Sequence, residues 1–134
     1  MDGEGRVRLL LDTCTFLWVA SGAPELSPRA RELFEDPDND VYLSVVSAWE
    51  IALKNASGRL PLPEPAGQFV PAQRRQHGVD ALELDEESAL HVARLPPLHR
   101  DPFDRMLVCQ AIVHGLVILG PDPLITQYPI RATW

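Results

Sequence analysis

The chain has 134 residues, of which 46% are hydrophobic and 23% charged, and its formal net charge is −7. This size suits one globular domain with a real core, so we expect residues 1–134 to form a single domain. Every apolar run is shorter than the roughly 20 residues of a membrane span, so we expect no membrane partner. The acidic balance argues against a general basic surface for nucleic acid, but not against an acidic pocket loaded with divalent cations.

The two cysteines, Cys14 and Cys109, lie in apolar sequence surroundings. A secretion signal would show a basic flank followed by an apolar run, and the start of the chain has no such pattern. We therefore expect two buried, reduced thiols and a cytoplasmic protein.

Apolar runs, caps and turn residues divide the chain into alternating strands and helices. In chain order, we predict a strand at 7–11, a helix from 13, a helix at 28–34, a strand at 41–43, a helix opened by Ser44 or Ser47 and running to 54, a helix at 66–75, a strand at 81–84, a helix at 85–93, a helix from 102, a strand at 116–119 and a strand near 130–132. This alternation is typical of crossover connections, and it predicts a three-layer α/β/α sandwich with a mostly parallel sheet of about five strands.

The helix from residue 102 has the clearest start signal. Asp101 is a natural N-cap, and Pro102 suits a first helical position because its missing amide proton is not needed there. Asp104 lies at helical spacing from Val108 and Ala111, so its carboxylate stands above an apolar, core-facing stripe. An acid in that position needs a partner or a task.

Four acids are predicted to meet at one edge of the sheet. Asp12 ends the first strand, Glu50 lies in the helix after the second, Asp104 lies in the first turn of the helix that leads into the fourth, and Asp122 lies just beyond the fourth. The carboxyl ends of parallel strands and the starts of the following helices share one edge, where ligands bind in open α/β sheets.

Each acid also has an ordinary structural interpretation. Asp12 could cap the first helix, Asp122 could form a turn between two prolines, and Asp101 and Asp104 could form a capping pair. Glu50 could complete a capping box with Ser47. These structural interpretations do not explain why four carboxylates should cluster.

Clustered carboxylates need compensation, because two unit charges about 4 Å apart repel by roughly 4 kcal/mol at an effective dielectric near 20. The candidate ligands are all oxygen donors, and no Cys and His residues have zinc-like spacing, so Mg²⁺ or Mn²⁺ is favoured. Such an ion can activate water for phosphodiester hydrolysis without a protein nucleophile.

Four segments, in order over nearly the whole chain, resemble PIN-domain ribonucleases and, among them, VapC-like toxins of type II toxin–antitoxin systems. These segments are 10–13 (LLDT), 47–54 (SAWEIALK), 100–105 (RDPFDR) and 120–122 (GPD). The resemblance implies a PIN-like fold and an endoribonuclease that depends on Mg²⁺ or Mn²⁺. It also implies an RNA substrate, a homodimer and a small VapB-like antitoxin.

Transferred residue by residue, the resemblance assigns the metal-binding and catalytic quartet to Asp12, Glu50, Asp104 and Asp122. Asp101 is expected to cap the helix or support the site, and residues that bind the substrate are left open. Lys54, one turn after Glu50, is expected to pair with it rather than touch RNA.

The chain departs from the family pattern at three places. Gly120 stands where the family usually has Ser or Thr, and Pro121 and Pro123 stiffen the turn around Asp122. Cys14 stands where a polar residue is common, which we interpret as packing.

Three other functions remain open from the sequence alone. The stiffened turn could have turned the protein into a catalytically weak PIN-like module that binds RNA or protein. Asp12 could be the nucleophile of a phosphatase, although such enzymes usually place a second Asp where this chain has Cys14. Histidine-based RNA cleavage by His99 or His114 is disfavoured because neither has a second histidine beside it.

Overall fold

A five-stranded, wholly parallel sheet forms the centre of the protein, in the order β3-β2-β1-β4-β5. The computed structural model describes residues 6–134, so residues 1–5 of the predicted domain lie outside the described part. The strands are β1 (Arg8–Leu11), β2 (Asp40–Ser44), β3 (Asp80–Leu82), β4 (Val117–Leu119) and β5 (Ala132–Thr133).

Seven α-helices among the described residues connect these strands. They are α1 (Thr13–Ser21), α2 (Pro28–Glu35), α3 (Val45–Ala56), α4 (Ala66–His77), α5 (Glu86–His91), α6 (Pro102–His114) and α7 (Pro123–Thr126), with a short 3₁₀ helix at Val92–Arg94. Among residues 6–134, no helix has the length and apolar character needed to cross a membrane.

Two hydrophobic cores, one on each face of the sheet, complete the three layers. Leu9 and Leu11 of β1 point into the core beneath α1, α2 and α4, and Leu10 points into the opposite core with Leu107 of α6 and Ile125 of α7. This alternation follows from the two-residue period of a strand. The predicted α/β/α sandwich with a parallel five-stranded sheet is therefore confirmed.

The element bounds differ from the predicted ones mainly at the ends. Ser44 rather than Ser47 caps α3, since its side chain accepts a hydrogen bond from the amide of Val46. The third strand covers Asp80–Leu82 instead of 81–84, and the last covers Ala132–Thr133 instead of residues near 130–132. The short helix α7 was not predicted.

The prediction of two buried thiols was wrong for Cys14. Both cysteines are free, but Cys14 is exposed and Cys109 is buried. Helix α1 is apolar on almost every side, so the sequence does not show which of its faces turns to the core.

Sheet order creates a topological switch at β1. The chain proceeds from β1 to β2 and β3 on one side, then crosses to β4 and β5 on the other. Ligand sites of open α/β sheets lie beyond the carboxyl ends of the strands at such a switch point. Helix α6 brings the chain back from the carboxyl edge of the sheet to the start of β4. Its first turn therefore lies at the carboxyl edge.

Candidate active site

Asp12 directly follows β1 and is almost fully buried, with 4% of its surface exposed. Its side chain caps α1, because Oδ1 accepts a hydrogen bond of 2.7 Å from the amide of Thr15. Burial raises the pKa of Asp12, hydrogen bonding from Thr15 lowers it, and the charges of Asp122 and Glu50 raise it again. The ordinary role of Asp12 as a helix cap is thus real, and it uses Oδ1 of the carboxylate.

Gly120, just after β4, provides the space that the Asp12 carboxylate occupies. A Cβ atom at position 120 would lie 2.2 Å from Oδ2 and 2.7 Å from Cγ of Asp12. Real Cβ atoms do not approach other atoms so closely, so glycine here accommodates the neighbouring carboxylate. Position 120 therefore has a physical reason to be glycine in this chain.

Glu50 is buried in α3, with 4% of its surface exposed, and two groups hold its carboxylate. The Thr13 hydroxyl donates to Oε1 at 2.7 Å, and Lys54 Nζ donates to Oε2 at 2.5 Å. The expected pairing of Lys54 with Glu50 is confirmed. The alternative capping box was wrong: Ser47 lies inside α3, and its hydroxyl contacts Thr13 at 2.9 Å.

Asp104 lies in the first turn of α6, with 16% of its side chain exposed. Burial raises its pKa to about 7, and the charges of Asp101, Glu50, Asp122 and Asp12 add to the effect. Asp101 caps α6 as predicted, because its Oδ1 accepts hydrogen bonds from the amides of Phe103 at 2.9 Å and Asp104 at 3.2 Å. The two acids therefore have different tasks.

Asp122 follows β4 and caps α7, accepting a hydrogen bond of 2.9 Å from the amide of Leu124. It is partly buried, and its charge raises the pKa of both Asp12 and Asp104. Pro123 occupies the first helical position, which repeats the arrangement of Asp101 and Pro102 in α6. The predicted turn is thus the start of a short helix.

The four predicted acids influence one another electrostatically, yet they do not form a ready-made ligand set. The pKa of Asp104 responds to Glu50, Asp122 and Asp12, which places all of them in one electrostatic neighbourhood. Within residues 6–134, however, no group of three or more His, Cys, Asp or Glu side chains is arranged to hold a metal ion. Their convergence on an ion stays a prediction.

Sequence reasoning missed the polar residues that support these acids. Thr13 holds Glu50, and His99 lies between Asp104 and Tyr128, with Nε2 3.6 Å from Asp104 Oδ2. The position of Thr13 beside Asp12 was an available signal. The contact with Tyr128 joins residues 29 apart in the sequence, and no local pattern predicts it.

Cys14 is close enough to the acids to respond to them. Although the residue is exposed, partial desolvation raises the pKa of its thiol to about 11, and the charges of Asp12, Glu50 and Asp104 contribute. The thiol therefore remains protonated at neutral pH and is a poor nucleophile or metal ligand there.

Comparison with known proteins identifies the family. The model of the PIN domain family matches residues 9–126, which include all four acids. The chain belongs to the PIN domain family. It is also 33% identical, over 87 residues, to Ribonuclease VapC16 of Mycobacterium tuberculosis, in an alignment that covers 59% of this chain and 62% of that protein. The chain thus spans about three fifths of the length of this curated relative.

Solved structures share the PIN fold over nearly the whole chain. VapBC2 from Rickettsia felis, bound to a DNA fragment from its promoter, superimposes with a TM-score of 0.72 at 11% identity, covering 95% of this chain and 98% of that one. DNA-bound VapBC from Salmonella typhimurium superimposes with a TM-score of 0.65 at 18% identity, covering 95% and 97%. At these identities the likeness establishes the fold.

Proposed function

We propose that this PIN-domain protein is a metal-dependent endoribonuclease that acts as the toxin of a type II toxin–antitoxin pair. The observation that carries the proposal is the position of the acids: Asp12 directly follows β1, Asp122 follows β4 and Asp104 lies in the first turn of α6, all at the carboxyl edge of the sheet. The similarity to Ribonuclease VapC16 supports RNA as the substrate. The free cysteines agree with the cytoplasmic location that we propose for this reaction.

The residues present fit Mg²⁺ or Mn²⁺ in their chemistry. Asp12, Glu50, Asp104 and Asp122 offer only carboxylate oxygens, which are the ligands these ions prefer. The raised pKa of Asp104 supports this assignment, because burial and the charges of the neighbouring acids both disfavour its ionised form without a cation. When bound, the ion would stabilise the charge that develops on the phosphodiester and acidify the attacking water.

The surrounding residues prepare the acids for this task. The amide of Thr15 at the start of α1 favours the ionised form of Asp12. Thr13 and Lys54 each donate to one oxygen of Glu50, and these two hydrogen bonds orient its carboxylate. A site whose ligands are held before the substrate arrives loses less free energy on binding.

We further propose a homodimer and a small VapB-like antitoxin as partners. The solved structures with this fold include VapBC assemblies from Rickettsia felis and Salmonella typhimurium. On α3, Trp49 and Leu53 lie one turn apart and are 59% and 46% exposed. Exposed apolar side chains of this size are typical of protein–protein contact surfaces. Light scattering after size-exclusion chromatography tests the dimer, which we expect Leu53→Asp to weaken.

RNA cleavage with and without Mg²⁺ tests the proposed activity. We expect the protein to cut RNA when Mg²⁺ is present and to stop when EDTA is added. Preferred turnover of a small phosphate monoester would instead favour the phosphatase class. Cleavage that continues in EDTA would contradict a metal-dependent mechanism.

A further inference from the structure

A buried chain of polar contacts leads from the end of α7 to Asp104. The hydroxyl oxygen of Tyr128 lies 2.8 Å from Nδ1 of His99, 3.0 Å from Nη1 of Arg105 and 3.3 Å from the backbone nitrogen of His99. Tyr128 is 3% exposed, and the side chain of His99 is 8% exposed. These contacts hold the His99 ring between Tyr128 and Asp104.

The contacts around Tyr128 determine where the ring proton of His99 lies. The guanidinium of Arg105 and the backbone amide of His99 are donors only, so both direct hydrogens at the hydroxyl oxygen. The hydroxyl proton must then point to the remaining neighbour, Nδ1 of His99. Because Nδ1 accepts that proton, it is unprotonated, and the ring proton is on Nε2.

Nε2 of His99 is buried and has no hydrogen-bond partner within residues 6–134. A carboxylate oxygen, Oδ2 of Asp104, lies 3.6 Å away. This separation is slightly too long for a hydrogen bond. A buried N–H group without an acceptor is unfavourable, so a small rotation of the Asp104 carboxylate toward the ring would satisfy both groups.

We propose that His99 is a positioning residue for Asp104. Tyr128 fixes the ring as the tautomer protonated on Nε2, and the Nε2–H group donates to Oδ2 of Asp104, which leaves Oδ1 available to an ion. Hydrogen bonds of this kind commonly orient the residues that ligate metals. The effect on ion binding rests on the proposed function, whereas the hydrogen bond itself does not.

Nitrogen-15 NMR of the labelled full chain without metal tests the tautomer directly. Long-range proton–nitrogen correlations report which ring nitrogen of His99 carries the proton. We expect Nε2 to be protonated in the wild type, and we expect Tyr128→Phe to give a mixture of tautomers because the hydroxyl donor is lost. A wild-type ring protonated on Nδ1 would overturn the proposal.

Two His99 variants separate the hydrogen bond from simple space filling. The amide nitrogen of His99→Gln reaches the position of Nε2, whereas that of His99→Asn reaches only the position of Nδ1. We expect the Asn variant to bind Mn²⁺ 10-fold to 100-fold more weakly, the typical loss for such supporting residues, and the Gln variant to bind almost normally. Equal affinity in both variants, whether retained or reduced, would contradict the proposal.

His114→Gln is the matched control. His114 also pairs with an aspartate, since its Nε2 lies 2.6 Å from Oδ1 of Asp85, but neither residue is among the proposed ligands. We expect this variant to bind Mn²⁺ like the wild type.

The carbon-13 chemical shift of the Asp104 carboxyl group, measured without metal, tests the hydrogen bond independently of the proposed metal site. If the wild type binds no Mn²⁺, the proposed metal site fails, and this resonance alone tests the hydrogen bond. We expect it to move in His99→Asn and to stay near its wild-type position in His99→Gln. An unchanged Asp104 resonance in His99→Asn would refute the positioning role even in an active ribonuclease.

Discussion

The carboxylate of Asp12 fills the space where a side chain at position 120 would lie. A Cβ added to Gly120 would be 2.2 Å from Asp12 Oδ2, although the two residues belong to different strand ends. Because β1 and β4 are neighbours in the sheet, their following residues are brought together. Asp12 can remain both a helix cap and a candidate ligand only while position 120 stays small.

Gly120→Ala should therefore displace the Asp12 carboxylate. We expect the free energy of unfolding to fall by about 1–3 kcal/mol, as for other overpacked sites, and Mg²⁺-dependent RNA cleavage to fall by at least about tenfold. Chemical denaturation and a cleavage assay measure the two effects.

Gly67→Ala is the control for this substitution. Gly67 lies in α4, and a Cβ there would meet nothing within 4 Å. We expect it to leave cleavage unchanged and to stabilise the helix by up to about 1 kcal/mol. Wild-type stability and activity in Gly120→Ala would refute the assigned role of Gly120.

Asp104 should make the metal-free protein less stable as the pH rises. Its pKa is about 7 in the folded protein and near the ordinary 3.8 in the unfolded chain. The folded protein thus binds more protons between these values, so its free energy of unfolding falls from about pH 4 to about pH 7. We expect a loss on the order of 2 to 4 kcal/mol between pH 4.5 and pH 8, measured by denaturation in EDTA.

Asp104→Asn should remove most of this pH dependence and make the metal-free protein more stable than the wild type at pH 8. Asp80→Asn is a suitable control, because Asp80 is exposed on β3 and lies outside the proposed site. If Asp104→Asn shows the same pH dependence as the wild type, the raised pKa belongs to another group. Asp12, whose pKa is also raised, would then be the next residue to substitute.

Mg²⁺ should reverse the same loss of stability. A ligand that binds only the folded protein stabilises it by about 2.7 kcal/mol at 100 times its Kd. We expect saturating Mg²⁺ to raise the Tm of the wild type at pH 8 and to have little effect on Asp104→Asn. An equal rise in both proteins would place the ion at a different site.

Thr13→Val should lower the free energy of unfolding, because buried Glu50 loses its hydroxyl donor. Val matches the shape of Thr, so the change removes the 2.7 Å hydrogen bond to Oε1 together with the 2.9 Å contact to the Ser47 hydroxyl. We expect a loss of about 1–3 kcal/mol in the free energy of unfolding. Thr126→Val, at an exposed hydroxyl that contacts the Pro123 carbonyl, should change stability by less than about 0.5 kcal/mol. Similar losses in both variants would mean that Glu50 does not depend on Thr13.

Local sequence signals predicted the parts of the fold that local physics controls. Asp101 and Pro102 gave the start of α6 because capping and a fixed proline φ act within one turn. The same signal at Asp122 and Pro123 predicts only a turn, because a four-residue helix is too short to show a helical period.

Contacts between distant residues could not be predicted in the same way. Glu50 was compatible with a local capping box at Ser47, but the fold brings Thr13 to its carboxylate instead. Likewise, the packing of Gly120 against Asp12 depends on the pairing of β1 with β4. Such contacts depend on which strands are neighbours in the sheet. No local sequence pattern determines this, because strand order is a property of the whole fold.

RNA cleavage by the wild type and by Asp104→Asn tests the central claim most directly. Both proteins are incubated with single-stranded RNA in Mg²⁺, and parallel samples contain EDTA. We predict that the wild type cleaves only with Mg²⁺, and that the folded Asp104→Asn variant loses cleavage by at least about a hundredfold, or about 2.7 kcal/mol in the barrier. Wild-type cleavage by Asp104→Asn, or cleavage that persists in EDTA, would contradict the account.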